Sequence, residues 1–155
     1  MISNVMQDNH VLLNVSPLDW QESIRLVAQP LLKDKYITEN YIEAMINVVK
    51  EYGAYIVVGK GVALAHARPE EGVNKLGLSV MTLKNPINFG NQENDPVKLI
   101  FCLAAIDDNA HLDIMRSIVK IINENWKVNE IAAQKTLVDF KKTLKKIEEM
   151  DHIVA

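Results

Sequence analysis

The stretch Val97-Lys98-Leu99-Ile100-Phe101-Cys102-Leu103-Ala104-Ala105-Ile106-Asp107-Asp108-Asn109 decides the fold. Its apolar run from Leu99 to Ile106 is far shorter than the roughly 20 residues a membrane-spanning helix needs. Unbroken apolarity at this length reads as a strand covered on both faces. Asp107, Asp108 and Asn109 are good helix N-caps. Beyond them Leu112, Met115, Ile118, Val119 and Ile122 recur at helical spacing. A buried strand that hands the chain to a capped helix implies an α/β fold.

Working outward, three further strands are expected at Tyr55 to Val58, Val62 to Ala65 and Leu76 to Leu83. Ahead of them Ser16-Pro17-Leu18-Asp19 predicts a helix start, with Ser16 as N-cap and Pro17 at the first helical position. Trp20, Ile24, Val27, Ala28 and Leu31 follow at helical spacing, and Pro30 is expected to bend or end that helix. Thr38 predicts a second cap, for a helix carrying Ile42, Met45 and Val49 on one face, with Gly53 as its left-handed stop. A last helix is expected to carry Leu137, Phe140, Leu144 and Ile147, its Lys-rich side facing water. Two helices, a block of strands and two more helices predict a three-layer helix/sheet/helix sandwich, with a mixed sheet of about four to five strands. No Gly/Ser-rich or Pro-rich linker divides the sequence, so residues 1–155 read as one domain.

Composition narrows the function. The chain has 155 residues, a formal net charge of −3, 48% hydrophobic residues and a single Cys. A domain of this length removes roughly 70% of its unfolded surface from water, so it needs no disulfide or metal staple. The slight acidity speaks against nucleic-acid binding, which calls for a basic face. The first basic residue is Arg25, so the leading segment lacks the charge of a secretory signal, and a lone Cys suits a reducing cytoplasm. No His-x-x-x-His or Cys-x-x-Cys pair is present, so neither a metal nor another cofactor is expected. Gly59-Lys60-Gly61 lacks the rest of any phosphate-binding glycine motif and reads as a turn.

Two of the four histidines stand at suggestive places. His66 follows Gly61-Val62-Ala63-Leu64-Ala65, where a strand gives way to a turn. His111 falls in the first turn of the helix after Asp107, where the helix dipole attracts anions. On spacing alone, ordinary structural histidines remain the favoured reading of both. His10 and His152, near the ends of the chain, read as surface residues. Cys102, inside an apolar run, reads as core filler rather than as a nucleophile.

The stretch Gly61-Val62-Ala63-Leu64-Ala65-His66-Ala67-Arg68-Pro69-Glu70-Glu71-Gly72-Val73 resembles the phosphorylation-site segment of EIIA proteins of the sugar phosphotransferase system, mannitol/fructose type, and most of all the ascorbate-specific branch. Asp19-Trp20, Gly53-x-Tyr55, Lys84-Asn85-Pro86-x-x-Phe89-Gly90 and Asn94-Asp95-Pro96-Val97 extend the resemblance over nearly the whole chain. It implies a phosphocarrier, a mixed sheet between helix layers, His66 as acceptor of a phosphoryl group from phospho-HPr, and His111 as the second active-site histidine. It also implies a cysteine of EIIB as the next acceptor and a membrane EIIC as an indirect partner. Many relatives have Pro before the phosphorylated His; Ala65 stands here, which frees a backbone dihedral and restores an amide donor.

Matched to that chemistry, His111 could donate to phosphoryl oxygens and Arg68 offers a planar fork for phosphate. Arg68 is equally well read as a solvated charge paired with Glu70 or Glu71. Lys50, from the end of the second helix, is a further phosphate-binding candidate and equally a solvated helix-end charge. Glu70, Glu71, Asp107 and Asp108 could attract a basic donor. Two alternatives stay open: an EIIA-like regulator of a transcription factor or enzyme, and a binding domain that accepts no phosphate. So does a homo-oligomeric state.

Overall fold

The computed structural model describes residues 2–154, with side chains through Met150. β5 (Val97–Ala104) organises it, because its alternate side chains serve two separate cores. Leu99, Phe101 and Leu103 pack with α1 (Ile2–Val5), α4 (Asp108–Ile122), α5 (Asn125–Ala132) and α6 (Leu137–Val154). Ile100, Cys102 and Ala104 pack with α2 (Trp20–Lys33) and α3 (Glu39–Tyr52). The sandwich of helices, sheet and helices expected from the sequence is therefore present.

Among the described residues the strands form one sheet, in the order β1-β4-β5-β3-β2. β1 (Val11–Val15) runs parallel to β4 (Gly77–Ile87), β4 antiparallel to β5, β5 parallel to β3 (Val62–Ala65), and β3 antiparallel to β2 (Val57–Gly59). Parallel pairing of β3 and β5 is the feature that makes a site. It brings the carboxyl ends of both strands side by side, where an α/β sheet opens a crevice.

Several expectations are corrected. β1 was not foreseen: at five residues, half-buried on the sheet edge, it carries too little pattern to separate from a loop. α2 begins after Asp19, whose carboxylate accepts the Glu22 N–H at 2.8 Å, so Asp19 rather than Ser16 is the cap. Pro30 does not end the helix where it stands: α2 runs on to Lys33, and the Pro30 carbonyl still accepts the Asp34 N–H. α3 starts after Thr38 and stops at Gly53, whose φ of 88° a side chain would resist. α4 buries Ile114, Ile118, Ile121 and Ile122, while Leu112 and Val119 are exposed, a rotation of the expected face. α5, eight residues long, was also missed.

His10 is a further correction. It is fully buried, edge-on to Tyr36, with Nε2 2.7 Å from the Asp34 carboxylate at the end of α2. The His152 side chain lies outside the described residues. No helix among the described residues is long and apolar enough to cross a membrane.

Candidate active site

β3 ends at Ala65 and delivers His66 to the crevice. The His66 ring is fixed by its own strand: Nδ1 lies 2.8 Å from the Leu64 carbonyl. A carbonyl can only accept, so Nδ1 carries the proton and Nε2 keeps its lone pair. Tyr55 stands edge-on to the ring, with centroids 5.8 Å apart and planes at 83°. Burial lowers the His66 pKa from its ordinary value; the Leu64 bond opposes this, and the nearby His111 adds to it. His66 is thereby kept neutral, the form with a nucleophilic nitrogen.

β5 delivers His111. Three residues past its end the Asp107 carboxylate accepts the Ala110 N–H at 2.8 Å, starting α4 as the sequence suggested. The first turn then sets the His111 ring 5.4 Å from that of His66, centroid to centroid. The two histidines, 45 positions apart in the chain by their numbers, share one open cleft of about 340 Å³.

Arg68 lines the same cleft, and among the described residues its guanidinium makes no ion pair with Glu70 or Glu71. Asp108 lines it from the start of α4. From α3 the lining residues are Val48 and Tyr52, one helical turn apart. Lys50 lies between them in sequence and so about 200° around the helix from Val48. It shares a face with Glu43, whose pKa is lowered first by Arg25 and in small part by Lys50. The structure does not bring Lys50 to the cleft. Cys102 is fully buried, 3.9 Å from the Met45 sulfur, and burial pushes its thiol up to about 12.

The strand-borne histidine facing a helix-borne one can be set beside known proteins. Residues 4–147 match the family model described as phosphoenolpyruvate-dependent sugar phosphotransferase system, EIIA 2. The chain belongs to that family. An ascorbate-specific PTS system EIIA component of Salmonella choleraesuis is 34% identical over 120 residues, 77% of each chain. The solution structure of the mannitol-specific cryptic phosphotransferase enzyme IIA CmtB from Escherichia coli superposes with a TM-score of 0.81 at 30% identity, over 96% of this chain and 98% of that one. A complex of enzyme IIAMTL with phosphorylated enzyme IIBMTL from Escherichia coli shares the fold, with a TM-score of 0.79 at 20% identity, over 91% of this chain and 97% of that one.

One residue of this EIIA site escaped the sequence reading altogether. Tyr41, in the first turn of α3, accepts the Ala67 N–H at 3.0 Å and donates to the Leu103 carbonyl at 2.7 Å. Its helical spacing marks it as core, and it is core, 1% exposed. Partners 26 and 62 residues away leave no local signal of the hydroxyl's role.

Proposed function

We propose that this EIIA accepts a phosphoryl group on Nε2 of His66 from phospho-HPr and passes it to a cysteine of an EIIB. The route would serve uptake of L-ascorbate or a related sugar acid through a membrane EIIC, on the cytoplasmic side. The observation that carries this reading is the Leu64 carbonyl on Nδ1, which leaves Nε2 as the free lone pair of a neutral ring in an open cleft. The name of the Salmonella relative supports the choice of ascorbate, and the enzyme IIB in the mannitol complex supports an EIIB partner.

Transfer forms a bond from Nε2 to phosphorus as the donor's nitrogen–phosphorus bond breaks, and the bonding pair returns to the donor ring. The proton stays on Nδ1 throughout, donated to the Leu64 carbonyl. In the onward step a thiolate attacks phosphorus and the Nε2–phosphorus pair returns to His66. Such transfers run through a loose transition state, so the protein aligns the partners and stabilises charge on the equatorial oxygens. We assign the donors to those oxygens to His111 and Arg68, which line the cleft with His66. Lys50 has no part in this mechanism.

The test is label transfer from phosphoenolpyruvate through enzyme I and HPr to the purified chain, then to candidate EIIB proteins. The intact chain is expected to take up one acid-labile phosphoryl group, and His66→Gln none. Undiminished labelling of His66→Gln would sink the assignment.

A further inference from the structure

The Tyr41 hydroxyl occupies a position that a regular sheet would not leave for it. β3 and β5 pair in parallel with a constant offset: Val62 faces Leu99, Ala63 faces Ile100 and Ala65 faces Cys102. The Leu64 N–H turns away, to the Ile56 carbonyl, so the odd-numbered amides of β3 face β5. In a parallel ladder with this offset, the bond after Ala65 would run from the Ala67 N–H to the Leu103 carbonyl. Those two groups are the ones Tyr41 bridges, at 3.0 and 2.7 Å. Its oxygen stands inside the place of the missing ladder bond.

We propose that Tyr41 is a positioning residue for phosphoryl transfer: its hydroxyl wedges the ends of β3 and β5 apart and so sets the gap between His66 and His111. The inference rests on the proposed phosphocarrier reading. Ala67 directly follows His66, and Leu103 leads through Asp107 into the turn that carries His111, so one oxygen holds both strand ends at the point where each releases its histidine. The Leu103 carbonyl is the closer acceptor of its proton, the Ala67 carbonyl lying at 3.3 Å. Burial raises the phenol well above its ordinary value, with a small contribution from Cys102, so the proton stays on. The wedge is therefore permanent rather than titrated. Because it makes both polar backbone groups content without joining the strands, the crevice stays open at no loss of hydrogen bonding.

The test is Tyr41→Phe in the full chain, with single-turnover transfer from phospho-HPr measured against donor concentration and nitrogen NMR of the imidazole rings. Reacting groups misplaced by about 1 Å cost up to about 100-fold. The maximal rate is expected to fall ten- to hundred-fold, with the half-saturating donor concentration within twofold. The ring signals of His66 and His111 should move while those of His10 stay. A maximal rate within twofold of the intact chain, or unmoved ring signals, would overturn the proposal.

Phe140→Leu, in the opposite core, controls for lost stability. If it slows transfer as much as Tyr41→Phe, Tyr41 is merely structural. Should Tyr41→Phe fail to fold, replacing Ala67 by the corresponding α-hydroxy acid deletes only the N–H that Tyr41 accepts; the same fall is expected, and an unchanged rate overturns the wedge. If the intact chain takes no label at all, the phosphocarrier reading fails. The ring signals still decide the wedge in that case.

Discussion

The His66 ring is set by a contact two residues back in the chain. The Leu64 carbonyl selects the tautomer, and burial keeps the ring neutral. The sign of the pH dependence follows. With the folded pKa below the ordinary value of about 6.5, the phosphorylation rate should rise with pH through an inflection below 6.5 and stay flat above it. His111→Ala removes a neighbouring imidazole that also lowers the His66 pKa, so the inflection should move up while the plateau drops. Removal of one donor to a transition-state oxygen costs about 10²- to 10³-fold. Titration of the His66 ring signals by NMR, with rates on the same samples, checks both. An inflection that stays put in His111→Ala would remove the electrostatic link. The same shift costs stability in acid: the unfolded chain takes its proton first, so stability falls as pH drops from about 6.5 through the folded pKa and is unaffected above.

The start of α3 holds the loop after His66 at successive points. Thr38 N–H donates to the Gly72 carbonyl, Asn40 Nδ2 to the Glu71 carbonyl, and Tyr41 takes the Ala67 N–H. Gly72 makes the close approach possible. Its φ is 139°, and a Cβ there would lie 2.1 Å from Thr38 Oγ1 and 3.3 Å from the Tyr41 side chain. Gly72→Ala is therefore expected to destabilise by about 1–3 kcal/mol and to slow phosphorylation, because the displaced loop begins at His66. Thermal melts and label transfer measure the two effects; a wild-type melt would show that the approach is not tight. This anchoring also bears on Ala65. Without proline its backbone dihedral is free, yet Ala65 is buried in β3 and in register with Cys102. The strand supplies the constraint that a proline at this position would supply.

The molecule as a whole separates what the sequence makes legible from what it does not. Apolar runs and helix periods foretold the layers, since β5 must be covered on both sides wherever the rest of the chain goes. His66 and His111 were each found at an element end. Their meeting was not readable from spacing, because it follows from the parallel neighbourhood of β3 and β5. Tyr41 was missed and His10 misjudged for a related reason: both are polar groups whose partners, 24 to 62 residues away, exist only after folding. Lys50 erred by angle alone, two positions from one lining residue and so on the far side of α3.

The cleft also has a charge setting at this scale. Asp108 lines it, and Glu70, Glu71 and Asp107, each next in sequence or nearly so to a lining residue, are exposed. Association with a basic donor should therefore slow as salt rises from 0.05 to 0.5 M, on the order of the drop in screening length from about 14 to 4 Å. Stopped-flow binding with a labelled donor reads this directly, and salt-independent association would remove steering.

Cys102 is the sole thiol of the chain, fully buried and held protonated far above neutral pH. It is thus silent toward maleimides and other alkylating reagents in the folded protein. In a mixture with an acceptor whose sulfur takes the phosphoryl group, every alkylated cysteine belongs to the acceptor. Protection from alkylation then counts phosphorylated sulfur, in native proteins and without isotope.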